Sequence, residues 1–257
     1  MTFITAPLRR HGVFHVLVAA GLAVLAGCSP KAAPEGFNDP FEEQNRRIHD
    51  FNRAVDTNVI KPASGGYSSI LPAPVKSGIG NVARNLDAPG DIANGILQGR
   101  PFHVAENTLR FLVNTTVGVG GLFDPASALG INGKRTDFGE TLHVWGAGEG
   151  RYMELPLVGP TTERDMFGTI IDIGLNPLRY ALPTKEANIA TFAKFGSRLG
   201  DRSRYSNTID SVLYDSADSY AQARLLYLQN RRFELGQTGS AGSDDDFIDP
   251  YEDPYGQ

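Results

Sequence analysis

From Asp39 onward the apolar positions recur mostly at helical spacing. Phe41, Ile48, Phe51, Val55 and Val59 stand seven, three, four and four residues apart, which gathers them on one helical face. Asp39-Pro40 with Glu42 just before them is a helix-start pattern, with Asp as cap, Pro at the first helical position and Glu at the third. Lys61-Pro62 and Gly65-Gly66 predict the end of that helix. Val75, Ile79, Val82 and Leu86 predict a second, from about Pro74 to Leu86, and Ile92 to Gln98 a short third. Pro101 opens a fourth, whose C-terminal half is apolar nearly all round. Asp137, with Glu140 three residues on, predicts another start. Helical patterns then cover Thr161 to Leu175, Thr184 to about Tyr214 with a break near Gly200, and a last segment after Ser216 closed by Gly236. Few segments alternate with period two, and no internal repeat of roughly 20 to 50 residues is visible. The pattern predicts a mostly α protein.

One apolar run breaks the amphipathic rule. Val13 to Gly27 follows Arg9-Arg10 and has the length of a secretory signal core, short for a helix that crosses a bilayer at about 1.5 Å per residue. Beyond it no stretch approaches the roughly 18 uninterrupted apolar residues that a span requires. Amphipathic helices without a span suit residence at a membrane interface, where helices satisfy their own backbone hydrogen bonds.

Charge narrows the functional classes. Lys and Arg number 24 against 29 Asp and Glu, a formal net charge of -5. Asp244, Asp245, Asp246, Asp249, Glu252 and Asp253 lie after Gly236, in a Ser/Gly/Asp-rich stretch without Lys or Arg. The rest of the chain is therefore close to neutral, which argues against nucleic acid. The tail reads as disordered.

Enzyme signatures fail on inspection. In Gly118-x-Gly120-Gly121 the sixth position is Phe123, so the dinucleotide spacing is absent. Gly133-Lys134 is followed by Arg135, where a P-loop needs Ser or Thr. Asp137-Phe138-Gly139 imitates a kinase tripeptide without its catalytic loop, and no G-x-S-x-G elbow occurs. His49, His103 and His143 are 54 and 40 residues apart, not a close pair of metal ligands. No catalytic residue and no metal site is assigned. Gly146-x-Gly148-x-Gly150 follows no strand and precedes no Lys-Ser/Thr. Its conformational freedom predicts a flexible hairpin between Trp145 and the apolar run from Tyr152 to Val158.

Two resemblances give these patterns a context. Leu25-Ala26-Gly27-Cys28 resembles the bacterial lipoprotein box, which implies cleavage before Cys28 and an N-acyl diacylglycerol on it. Ser29, where Asp would retain a lipoprotein in the inner membrane, implies the outer one. The expected organisation is a signal peptide (1–27), a lipidated tether (28–38), a helical domain (39–236) and an acidic tail (237–257).

Four ordered blocks carry the second resemblance: "DPFEEQNRRIHDFNRAVD…KP", "NVARNLDAPGDIANGILQG", "RFLVNTTVGVGGLFDPA" and "DFGETLHVWGAGEGRYMELPLVGPTTERD". Together they resemble the MlaA/VacJ outer-membrane lipoproteins over about Asp39 to Leu235. The resemblance implies a single ring-like bundle of amphipathic helices lying in the membrane around a central channel. It implies transport, not hydrolysis: phospholipids leave the outer leaflet, pass to a periplasmic lipid carrier and go on to an inner-membrane ABC transporter, beside a trimeric porin. No cofactor is implied beyond the lipid on Cys28. Phe51-Asn52 matches a position associated with gating, so both are expected at a hinge or channel wall, with Gly118, Gly120 and Gly121 as a loop hinge. Glu43-Gln44, His143 and Arg151 depart from the family pattern. The alternative is a porin-associated scaffold lipoprotein that moves no lipid.

Overall fold

A computed structural model of the chain describes residues 37–178 and 182–237. Cys28, the signal segment, the tether to Gly36 and the tail beyond Gln237 lie outside the described residues. The first helix, α1 (Glu42–Val55), starts later than its cap pattern suggests. Phe41 occupies the cap position without a side-chain bond. Asp39 is drawn elsewhere: Oδ1 accepts from Asn45 Nδ2 at 2.8 Å and Oδ2 from Arg224 and the Tyr220 hydroxyl. A long-range ion pair has outcompeted a local cap.

Nor does Lys61-Pro62 stop the helix. A π-helical turn (Asp56–Ile60) leads directly into α2 (Lys61–Ile70). The Lys61 N–H reaches back to the Asp56 carbonyl, and this wider turn accommodates a proline ring without its N–H. The helix ends instead at Leu71, extended at ψ 128° as the residue before Pro72 must be.

The expected second and third helices are one. α3 runs unbroken from Ala73 to Leu97 with Pro89 inside it. Proline cannot donate to the preceding turn, which deprives the Asn85 carbonyl of its helical donor; Asn176 Nδ2 bonds the neighbouring Leu86 carbonyl at 2.9 Å. Then follow α4 (Pro101–Thr116), α5 (Pro125–Ala128), α6 (Phe138–Val144), strands β1 (Tyr152–Leu155) and β2 (Gly159–Thr162), α7 (Glu163–Leu175), α8 (Thr184–Arg204), α9 (Ser206–Asp210), a second π-helical turn (Ser211–Asp215) and α10 (Ser219–Glu234). Asp137 caps α6 as expected, accepting from Glu140 N at 2.8 Å. Thr162 and Asp218 cap α7 and α10. The strands form one antiparallel hairpin, Tyr152 opposite Thr162 and Leu155 opposite Gly159.

The bundle is mostly helical, and its polarity is unusual. Among the described residues the buried set is rich in Asn, Thr, Arg and carboxylates, with Asn94 1% and Thr141 0% exposed. Large apolar side chains face outward, including Phe102 at 87% and Phe192 at 75%. A protein surrounded by water rarely exposes so many large apolar side chains. No described helix is long and apolar enough to cross a membrane.

Candidate functional site

The packing of α3 against α8, and of α6 against α7, leaves a cavity of about 980 Å³. Its walls come from α3, the 134–137 strap before α6, α7, α8 and the end of α10. Leu86, Ile173, Leu182 and Ala190 give it an apolar side. Its polar side is ordered by charge pairs. Asp87 holds Lys194 at 2.5 Å and Arg135 at 3.5 Å. Arg231 bridges Asp137, at 2.7 Å, to Asp165 behind the wall, at 3.0 Å. Glu140 takes Arg100 and the Thr136 hydroxyl, with Lys134 at 3.6 Å. Burial works against the Glu140 carboxylate, but Arg100, Thr136 and Lys134 outweigh it and hold it below the ordinary range.

Two carboxylates in this wall are held by hydrogen bonds alone. Asp91 accepts one bond, from Thr136 N at 3.1 Å. Asp172 accepts from Asn94 Nδ2 at 2.8 Å and Phe138 N at 2.9 Å. Neither forms an ion pair among the described residues. Burial, helped by the charges of Asp87 and Asp172, pushes Asp91 up to about 7 against the opposing pull of Thr136 and Arg135. Burial also raises Asp172. Sequence reading passed over both, although Asp87 and Asp91 stand one turn apart on α3, where like charges repel. That unfavourable pair is a signal the sequence offers.

The residues singled out from the sequence lie elsewhere. None of Phe51, Asn52, Gly118, Gly120, Gly121, Gly146, Gly148 and Gly150 lines this cavity, so the channel-wall expectation for Phe51 and Asn52 is not met at it. Asn52 sits at the hairpin. Its Nδ2 donates to the Leu155 carbonyl at 3.0 Å, and its Oδ1 accepts from Leu157 N at 2.7 Å. Asn45, seven residues and two turns earlier, does the same for β1, accepting from Glu154 N at 3.0 Å and donating to the Tyr152 carbonyl at 3.3 Å. Two side-chain amides on one face of α1 thus satisfy an otherwise unpaired strand edge. Between them His49 is buried, its Nδ1 3.4 Å from Glu154 Oε1 and its Nε2 3.0 Å from Ser219 Oγ. Phe51 points away and is 49% exposed.

The hairpin turn is Pro156-Leu157-Val158, with Leu157 at φ 64°. The three glycines lead into the hairpin and do not form its turn. Gly146 ends α6: its N–H bonds the His143 carbonyl while Ala147 N bonds Leu142, with Gly146 at φ 93°, a Schellman stop. Between Gly148 and Gly150, Glu149 accepts from Arg232 Nε and Nη2, each at 2.9 Å. Gly150 packs where a Cβ would meet Glu163 at 2.9 Å. The expected loop hinge is likewise packed at two of three positions. A Cβ on Gly118 would lie 2.5 Å from the Asn114 and Phe123 carbonyls, and one on Gly121 2.5 Å from Asn85; only Gly120 faces open space.

Comparison with known proteins agrees with this architecture. The family model described as MlaA lipoprotein matches residues 37–234. A protein of Rickettsia bellii, described as uncharacterized, is 35% identical over 194 residues, 75% of each chain. The intermembrane phospholipid transport system lipoprotein MlaA of Haemophilus influenzae is 33% identical over 204 residues, 77% of this chain and 79% of its own. A solved structure from work on the structural basis for maintenance of bacterial outer membrane lipid asymmetry superposes with a TM-score of 0.64 at 28% identity, covering 77% of this chain and 98% of the other. The chain belongs to the MlaA lipoprotein family.

Proposed function

We propose that this protein is the lipid-anchored outer-membrane component of a phospholipid transport system, which takes phospholipids from the outer leaflet and hands them to a periplasmic carrier. The observation that carries this reading is the polarity of the bundle: many large apolar side chains outward, many charged and amide side chains buried, and a cavity with both apolar and polar walls. A phospholipid needs both halves of that arrangement. Acyl chains are matched by apolar surface, and head groups need polar partners shielded from the membrane interior. Acylation of Cys28 anchors the chain, with each buried CH₂ contributing about 0.8 kcal/mol. A trimeric porin alongside would cover part of the apolar exterior.

The test is an outer-leaflet phospholipid assay in the host bacterium. Deletion should raise surface-exposed phospholipid and detergent sensitivity, and the full chain should restore both. Cys28→Ala should restore neither if anchoring is required. An unchanged outer leaflet in the deletion strain, or reconstituted protein that moves no labelled lipid to a carrier, would replace this reading with that of a porin-associated scaffold.

A further inference from the structure

The cavity's charges are sorted. Lys194 and Arg135 gather at Asp87, and Lys134 stands beside Glu140. Arg135 is a loose partner, 3.5 Å from Asp87 with a side chain 74% exposed, and so is Lys134 at 3.6 Å. These cations retain donors for an incoming anion. One helical turn along α3 from Asp87, about 5.4 Å, Asp91 offers a carboxylate that accepts a single hydrogen bond and forms no ion pair among the described residues, Arg135 acting on it only at longer range. Asp172 lies on the same wall, held by hydrogen bonds and without an ion pair among the described residues. Thr136, next to Arg135, donates the bond to Asp91, so the cationic and anionic ends of the cavity adjoin.

We propose that this cavity recognises phospholipids whose head group carries a primary ammonium, the ammonium entering between Asp91 and Asp172 and the phosphate lying toward Lys134, Arg135 and Lys194. This rests on the phospholipid reading above and specifies its substrate. A primary ammonium is compact and has three donors for carboxylate oxygens. A trimethylated ammonium has none and is usually held by aromatic faces, and among the described residues none that lines the cavity is aromatic. A metal ion fits poorly, since no three His, Cys, Asp or Glu side chains converge among the described residues. A head group that is neutral apart from its phosphate would leave both carboxylates unmatched. Desolvation raises the proton affinity of both Asp91 and Asp172 in this partly buried wall.

The experiment uses the full chain in detergent micelles and acyl-labelled phosphatidylethanolamine, phosphatidylcholine and phosphatidylglycerol with identical acyl chains. The wild type should bind phosphatidylethanolamine about tenfold or more tightly than the other two, the span expected for charged hydrogen bonds. The near-isosteric double variant Asp91→Asn/Asp172→Asn should lose that preference while still binding all three lipids, with its melting temperature as the control for folding. Lys194→Gln should instead weaken all three alike. Equal binding of the three lipids by the wild type, or an undiminished preference in the double variant, overturns the proposal and leaves the phospholipid reading standing. Failure to bind any of the three overturns both. Free phosphoethanolamine should not compete at the same concentration; if it matches the lipid, the site is one for a soluble amine and the proposal is wrong.

Discussion

Asn52→Ala should open the hairpin turn without unfolding the bundle. The substitution removes two well-formed bonds, Leu157 N to Asn52 Oδ1 at 2.7 Å and Asn52 Nδ2 to the Leu155 carbonyl at 3.0 Å. At about 1 kcal/mol each, the clamp contributes about 2 kcal/mol to holding the turn on α1. Leu157 also sits at φ 64°, a left-handed conformation that costs a side-chain-bearing residue about 1 kcal/mol and relaxes once released. Since 1.4 kcal/mol is tenfold, 2 kcal/mol corresponds to about thirtyfold faster local opening. Native-state hydrogen exchange of the Leu157 amide reads this directly. Amides of α7 should keep their protection, because their bonds do not pass through Asn52. Asn45→Ala supplies the contrast: it frees Glu154 N within β1 and should leave Leu157 protected. Phe51→Ala should leave exchange unchanged, since its side chain is 49% exposed and faces away from the turn. Unchanged exchange at Leu157 in folded Asn52→Ala protein would refute the clamp. If lipid flux changed in that variant while the turn stayed closed, Asn52 would act on transport by a route other than the hairpin.

Other outcomes follow from the same geometry. Arg231→Met should destabilise the fold by about 3 to 5 kcal/mol, the range for a buried ion pair losing one partner, because Asp137 and Asp165 both lose their shared guanidinium; chemical denaturation measures it. Gly121→Ala should cost more than Gly120→Ala: both place a side chain at positive φ, about 1 to 2 kcal/mol, but only the first drives a Cβ to 2.5 Å from Asn85. Asp91 holds its proton up to about pH 7 in the folded protein against 3.8 ordinarily, so the folded state binds more protons between those values and stability falls as pH rises from 4 to 7, by at most about 1.4 kcal/mol per pH unit. Asp87, Asp172 and Arg135 face Asp91 and act on it through their charges, so the measured quantity is the difference between wild type and Asp91→Asn, which should widen in the variant's favour toward neutral pH; a pH-independent difference refutes it.

The helices were legible where local signals act alone and misread where a distant residue competes. The Asp137 cap formed as its pattern predicts because Arg231 reaches that carboxylate without displacing the Glu140 N–H. The equivalent signal at Asp39 failed because Arg224 and Tyr220, some 180 residues away, claim the side chain. Pro62 and Pro89 read as breaks because sequence spacing does not show a π turn ahead of one or Asn176 covering a carbonyl before the other. The same reasoning explains why the cavity was missed. Motif reading rewards glycine runs and conspicuous aromatics, and here Gly118, Gly121 and Gly150 mark close packing, while Gly146 ends a helix. The cavity's chemistry instead lies in a feature that local stability disfavours. Asp87 and Asp91 repel across one turn of α3 in a helix that already carries an internal proline. Lys194 and Arg135 pair with Asp87; Asp91 has no ion-pair partner among the described residues and feels Arg135 only at longer range. A helix that keeps Asp91 without an ion pair beside Asp87 on its cavity face, while turning apolar residues outward, is arranged for a positively charged guest at that position.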